Sequence, residues 1–134
     1  MDVRSIMSAP ALTINGDEGM LAATRLMKEH KIKHLPVVNT RGELIGVVTD
    51  RDLKRASASD ATTLEIHELL YLLHQVKVHT VMTAKPITAM PGLSASEAAS
   101  LMVRHGIGCL PVLEGSTLVG IVTKDDLLRL LAKG

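Results

Sequence analysis

Phenylalanine and tryptophan are absent from this 134-residue chain, and tyrosine occurs once, at Tyr71. A core must therefore be built from aliphatic side chains, and base stacking on aromatic platforms, the usual grip on single-stranded nucleic acid, is almost unavailable. A lone cysteine, Cys109, cannot close an intramolecular disulfide, and Cys-x-x-Cys pairs are missing, which favours a reducing compartment. Neither sign of charge dominates: the formal net charge is +1, so nonspecific attraction to phosphate backbones is weak. No signal-peptide stretch opens the chain, and its richest apolar run, 69–73, falls far short of the roughly 20 residues that span a bilayer. These absences predict a cytoplasmic protein without nucleic-acid or membrane partners. What is present, 46% hydrophobic and 22% charged residues, suits a globular chain forming one domain or two halves that share a core.

An internal repeat organises the sequence. Val3-Arg4-Ser5-Ile6-Met7 returns as Val78-His79-Thr80-Val81-Met82, and Leu35-Pro36-Val37 as Leu110-Pro111-Val112. Gly46-Val47-Val48-Thr49 then returns as Gly120-Ile121-Val122-Thr123, one position closer. The lost residue falls between Asn39-Thr40-Arg41-Gly42 and Glu114-Gly115-Ser116, where a hairpin loop can change length without disturbing its strands. The predicted organisation is repeat 1 over 1–56, a connector over 57–77 and repeat 2 over 78–134.

Each copy reads β-α-β-β-α, an α/β (α+β) pattern. A short extended piece at Leu12-Thr13-Ile14 or Ile87-Thr88-Ala89 precedes a helix with Leu26 and Met27, or Leu101 and Met102, on its inner face. Ser94 and Glu97 have capping-box spacing, and Gly106 suits a left-handed helix terminus. Strands follow at 33–38 and 44–49, or 108–113 and 118–123, before helices starting near Asp50 and Lys124. One unit of about 50 residues buries little surface alone, so the two copies are expected to pack sheet to sheet with pseudo-twofold symmetry. In the connector, Thr63 suits a cap for a helix over 64–73. Its leucines exceed one narrow stripe, as a face shared with a partner chain would require.

Two strand-to-helix turns share the pattern Gly, two aliphatics, Thr, two variable residues, Asp: Gly46 to Asp52 and Gly120 to Asp126. As a cap alone, Thr with Asp three residues on satisfies orphan amides. Its duplication after a glycine, within reach of a Leu-Pro-Val strand, also suits a ligand. A carboxylate accepts from both hydroxyls of a ribose, and Thr with the first helix amides can hold an oxygen or phosphate.

With these turns the chain resembles a tandem pair of cystathionine β-synthase (CBS) domains, a Bateman module, over nearly its whole length. The Leu-rich connector also resembles bacterial acetoin-utilisation accessory proteins of that family, although a further regulatory domain common there is missing. The resemblance implies adenosine-containing ligands (AMP, ADP, ATP or S-adenosylmethionine) in the cleft between repeats, with no obligatory cofactor. It puts Asp52, Asp126, Thr49 and Thr123 on the ribose, and Thr13, Ile14, Pro36, Val37, Ile87, Thr88, Pro111 and Val112 around the adenine. Lys33 and His34, where copy two has Gly108 and Cys109, fall at a phosphate-binding position of the family and would serve a ligand seated on Asp126. Arg4, Arg51 and Lys124 are weaker phosphate candidates, since such residues also pair with Asp50 or Asp125. It further implies a homodimer and an effector protein that remains unidentified.

Other chemistry finds little support. His30 and His34 have a helical ligand spacing, but 32–38 reads as strand and no carboxylate motif accompanies them, so no metal is expected. His67, Tyr71 and His74 form a polar or interface edge of the connector. Cys109 has no evident base, and a nucleotide hydrolase using Asp52 or Asp126 lacks a general base, P-loop or metal cluster; no catalytic residue is assigned. The rival to a ligand-binding regulatory module is a ligand-independent scaffold.

Overall fold

In the computed structural model, residues 1–60, 68, 71 and 74–133 are described, with backbone alone for 57–60. The chain forms two compact units, Thr13–Lys85 and Met1–Leu12 with Pro86–Gly134. These cross the sequence repeats, because the lead segment of each repeat packs with the other repeat's elements.

The unit Thr13–Lys85 contains β1 (Ile14–Asn15), α2 (Met20–His30), β2 (His34–Val38), β3 (Leu44–Thr49), α3 (Asp50–Asp60), α4 (Val78–Val81) and β4 (Thr83–Ala84). Its sheet order is β1-β2-β3-β4, with β1 parallel to β2 and the other pairs antiparallel. Val78, from the second copy of the lead motif, is fully buried in this unit, and its N–H donates to Glu18 O at 2.8 Å.

The other unit contains α1 (Val3–Ile6), α5 (Ala95–His105), β5 (Cys109–Glu114), β6 (Thr117–Thr123) and α6 (Lys124–Lys133). Val3 joins a core of Ala89, Ala98, Met102, Leu110, Val112 and Val122. Its N–H reaches Leu93 O at 2.8 Å.

The β-α-β-β-α expectation holds for the first copy and needs one correction in the second, where the first strand shrinks to a bridge between Ala89 and Val112. The cause is local. Gly16 donates to Val38 O at 2.9 Å and continues the ladder, whereas the matching position holds Pro91, which has no N–H to give. In copy one the strand also starts later than expected, at Ile14. The β2–β3 and β5–β6 hairpins otherwise agree, down to a register shift at Val37/Val38 and at Val112/Leu113. The one-residue difference lies in their loops. Asn39 Oδ1 accepts from the N–H groups of Arg41 and Glu43 in the longer one, and Gly115, at φ 63°, turns the shorter.

Helix α5 carries the predicted caps: Ser94 Oγ accepts from Glu97 N–H at 3.0 Å, and Gly106 is left-handed at φ 63°. Helix α2 starts at Gly19 without a side-chain cap and ends on a left-handed Lys31. Ser94→Ala is expected to cost about 1 kcal/mol in urea denaturation. Gly19→Ser is also expected to destabilise, because its Cβ would lie 2.5 Å from the His74 carbonyl oxygen, a clash that an added cap hydroxyl does not offset. The connector expectations, the Thr63 cap and the partner-facing leucines of 69–73, lie outside the described residues; Tyr71 is 66% exposed.

Candidate functional site

Each Thr/Asp turn sits where the second strand of a hairpin passes into a helix: β3 into α3, and β6 into α6. The last strand residue is the Thr and the third helical residue the Asp, so each forms a capping box. Thr49 N–H donates to Asp52 Oδ2 at 3.0 Å, and Asp52 N–H to Thr49 Oγ1 at 3.1 Å. In the second copy Thr123 N–H and Oγ1 both donate to Asp126 Oδ2, at 2.8 and 3.1 Å, and Asp126 N–H reaches Thr123 Oγ1 at 3.3 Å. The carboxylates sit in the first helical turn, where the helix dipole favours negative charge.

The preceding glycines are there for close approach. A Cβ on Gly46 would lie 2.5 Å from Met82 Sδ and 2.7 Å from Thr83 O, and one on Gly120 would lie 2.7 Å from Met7 Sδ and 2.8 Å from Ser8 O. The lead segment of one repeat therefore presses on the motif strand of the other. Met7 and Met82, at equivalent places in the two lead segments, hold specific positions against those strands.

Other candidates distribute as follows. His34 is the register partner of Thr49, and Cys109 of Thr123, so the residues that differ between copies flank the turn of their own hairpin. Lys33 is exposed, and its carbonyl accepts from Asp50 N–H at 3.0 Å; Gly108 does the same for Lys124. Ile14, Pro36, Val37, Pro111 and Val112 are buried, while Thr13, Ile87 and Thr88 are half-buried. Arg4 lands in the unit of the second repeat and pairs with Glu114. Arg51 and Lys124 are exposed without an ion pair among the described residues, and Asp50 is taken by Lys54 at 3.6 Å. Among the described residues no cluster of three or more His, Cys, Asp or Glu side chains is placed to hold a metal ion. No helix there is long and apolar enough to cross a membrane.

Burial pushes the Cys109 thiol up to about 12 from an ordinary 9.0. Above about pH 9 the unfolded chain releases a proton that the folded one retains, so this contribution to stability is complete below pH 9 and is lost as the pH rises towards 12. We expect the urea midpoint to fall over that interval less steeply in Cys109→Ala, and an aromatic disulfide reagent to label Cys109 at pH 8 only on unfolding. Prompt labelling of the native chain would contradict the burial.

One interaction escaped the reading of the sequence. Arg129 Nη1 donates to Asp126 Oδ1 at 3.0 Å, engaging the second oxygen of the motif carboxylate. The signal was available as Asp-x-x-Arg in both copies, Asp52 to Arg55 and Asp126 to Arg129.

Two copies of one α+β unit, each with a Thr/Asp box at a strand-to-helix turn, define a tandem-repeat module. The CBS domain profile matches residues 3–59 and 78–133, and the chain belongs to the CBS domain family. It is 38% identical over 132 residues to a CBS domain-containing protein of Dictyostelium discoideum, spanning 98% of this chain and 91% of that one. Among solved structures it is similar to the CBS domain pair of protein MJ0100 in complex with 5′-methylthioadenosine and S-adenosyl-L-methionine. The TM-score there is 0.85 at 28% identity, covering 99% of this chain and 97% of that one. A protein assigned to acetoin utilization (AcuB) from Vibrio cholerae gives a TM-score of 0.81 at 28% identity, covering 99% and 91%.

Proposed function

We propose that this chain is a non-catalytic regulatory module of the cytoplasm that binds an adenosine-containing ligand at its Thr49/Asp52 and Thr123/Asp126 turns. Its ligand state would pass to an effector protein or a second copy of the chain. The observation that carries this reading is the duplicated box, two motif carboxylates held at helix starts in a chain 28% identical to a pair complexed with adenosine derivatives. Asp52 and Asp126 would accept the ribose hydroxyls, with Thr49 and Thr123 beside them. Thr13, Ile14, Pro36 and Val37 would border the adenine at one turn, and Ile87, Thr88, Pro111 and Val112 at the other, the buried ones through main chain. Lys33 and His34 would add positive potential for phosphate, with Arg4, Arg51 and Lys124 as lesser contributors.

Calorimetry with AMP, ADP, ATP, 5′-methylthioadenosine and S-adenosylmethionine tests the proposal. Saturable binding of at least one is expected, and Asp52→Asn or Asp126→Asn should each weaken its own turn about tenfold, because an amide keeps the cap but surrenders a charge-assisted acceptor. If none of the five binds, the second reading stands: a ligand-independent scaffold. One observation favours it, since Asp126 has both oxygens engaged inside the protein, as a purely structural cap allows.

A further inference from the structure

The internal repeat supplies its own control for one contact. Both motif aspartates are followed three positions on by arginine, yet the copies use it differently. In α6 the Asp126 side chain is 7% exposed, and its Oδ1 is held by Arg129, whose own side chain is 69% exposed. Oδ2 of the same carboxylate is taken by the main-chain and hydroxyl groups of Thr123. In α3 the half-buried Asp52 gives Oδ2 to Thr49 N–H, and among the described residues it has no ion pair, with Arg55 or any other cation. The neighbouring charges differ as well. Asp50 and Lys54 pair along α3, whereas the matching positions of α6 are Lys124 and Leu128, which have no such attraction.

We propose that Arg129 is an autoinhibitory latch on the Thr123–Asp126 turn. This rests on the ligand reading above. A vicinal diol donates two hydrogen bonds, and a carboxylate has about four lone-pair sites. Asp52 has given one of them, to Thr49 N–H, whereas Asp126 has given three, two to Thr123 and one to Arg129, so at the Thr123 turn the guanidinium must leave Oδ1 before both hydroxyls can be accepted. The ligand therefore fills the Thr49 turn at lower concentration and the Thr123 turn later, so the two copies respond over different ranges of one ligand. The latch is weak enough to open. Its arginine is mostly in solvent, and exposed ion pairs shift an equilibrium by about fivefold at most.

The test is an amide-resolved NMR titration of the full chain with 5′-methylthioadenosine, a diol without phosphate, so that the guanidinium gains no new anion when released. Thr49 and Thr123 each donate their N–H to the motif carboxylate, so their resonances report the two turns separately. In the unmodified chain Thr49 is expected to shift at lower ligand concentration than Thr123. In Arg129→Gln the Thr123 midpoint should fall several-fold, up to about fivefold, with the Thr49 midpoint unchanged, and Arg55→Gln should move neither. Retention of the Thr123 amide position in ligand-free Arg129→Gln shows the box intact. A Thr123 midpoint that stays or rises in Arg129→Gln, while Thr49 still titrates, overturns the latch alone. Silence at both turns in every variant, when the titration is repeated with AMP, ADP, ATP and S-adenosylmethionine as well, overturns the ligand reading and the latch with it.

Discussion

Replacing Val3 with Asp is expected to unfold the part of the molecule that holds the second repeat. Val3 is fully buried among Ala89, Ala98, Met102, Leu110, Val112 and Val122. A carboxylate there would be surrounded by the apolar side chains of that core, and the loss of packing adds to its desolvation, for a cost of about 4 kcal/mol. Domains of this size are stable by roughly 5–15 kcal/mol, so protection should collapse locally before global unfolding. Hydrogen exchange should show the loss at β5, β6 and α5, with β2 and β3 protected. Val78→Asp should give the mirror result, because Val78 is buried in the unit of β2 and β3. Loss of protection at β2 and β3 in Val3→Asp would mean that each lead segment stays with its own repeat, contrary to the structure.

The next largest effect is expected at the two motif glycines. Gly120→Ala sets a methyl carbon 2.7 Å from Met7 Sδ and 2.8 Å from Ser8 O, and Gly46→Ala sets one 2.5 Å from Met82 Sδ and 2.7 Å from Thr83 O. Neither glycine needs a left-handed backbone, so the cost is steric and amounts to about 2–3 kcal/mol, or roughly 10 °C in Tm. Combining Gly46→Ala with Met82→Ala should recover only part of that loss. The thioether can be removed, but the Thr83 carbonyl belongs to the strand that pairs with Gly46 in register. A thermal midpoint within a degree or two of the unmodified chain would show that these strands separate freely. Their closeness would then not constrain the Thr/Asp turns beside them.

Much of the candidate site was legible because its chemistry is local. Thr49 to Asp52 and Thr123 to Asp126 are three residues apart at a change from period-two to helical patterning, and a capping box follows from that spacing alone. The first strand of copy two is different: Ile87-Thr88-Ala89 has strand composition, but Pro91 two residues later cancels the ladder beyond Ala89. That signal was in the sequence and acts through a missing donor, which residue propensity does not register.

The asymmetry at Lys33 and His34 was equally visible, and the hairpin register sets those residues beside the turn of their own copy, His34 opposite Thr49. Arg129 and Arg55 stand at the same distance from their aspartates in sequence. Burial separates them: Asp126 is nearly enclosed where Asp52 is half-buried, and a guanidinium gains more from a carboxylate that solvent reaches less.

By itself the sequence determined the repeat, the two hairpins, the helix starts at Asp50 and Lys124 and the paired boxes, since each depends on periodicity or on contacts a few residues apart. Only the tertiary structure decided where the lead segments go. Val3-Arg4-Ser5-Ile6-Met7 and Val78-His79-Thr80-Val81-Met82 carry the same apolar pattern, and each faces two glycine-bearing strands of nearly the same shape. No local preference distinguishes one strand from the other. The choice is made by chain connection and by contacts that exist only after folding, such as Ser8 with Ile121, Arg4 with Glu114, and Gly46 with Ala84.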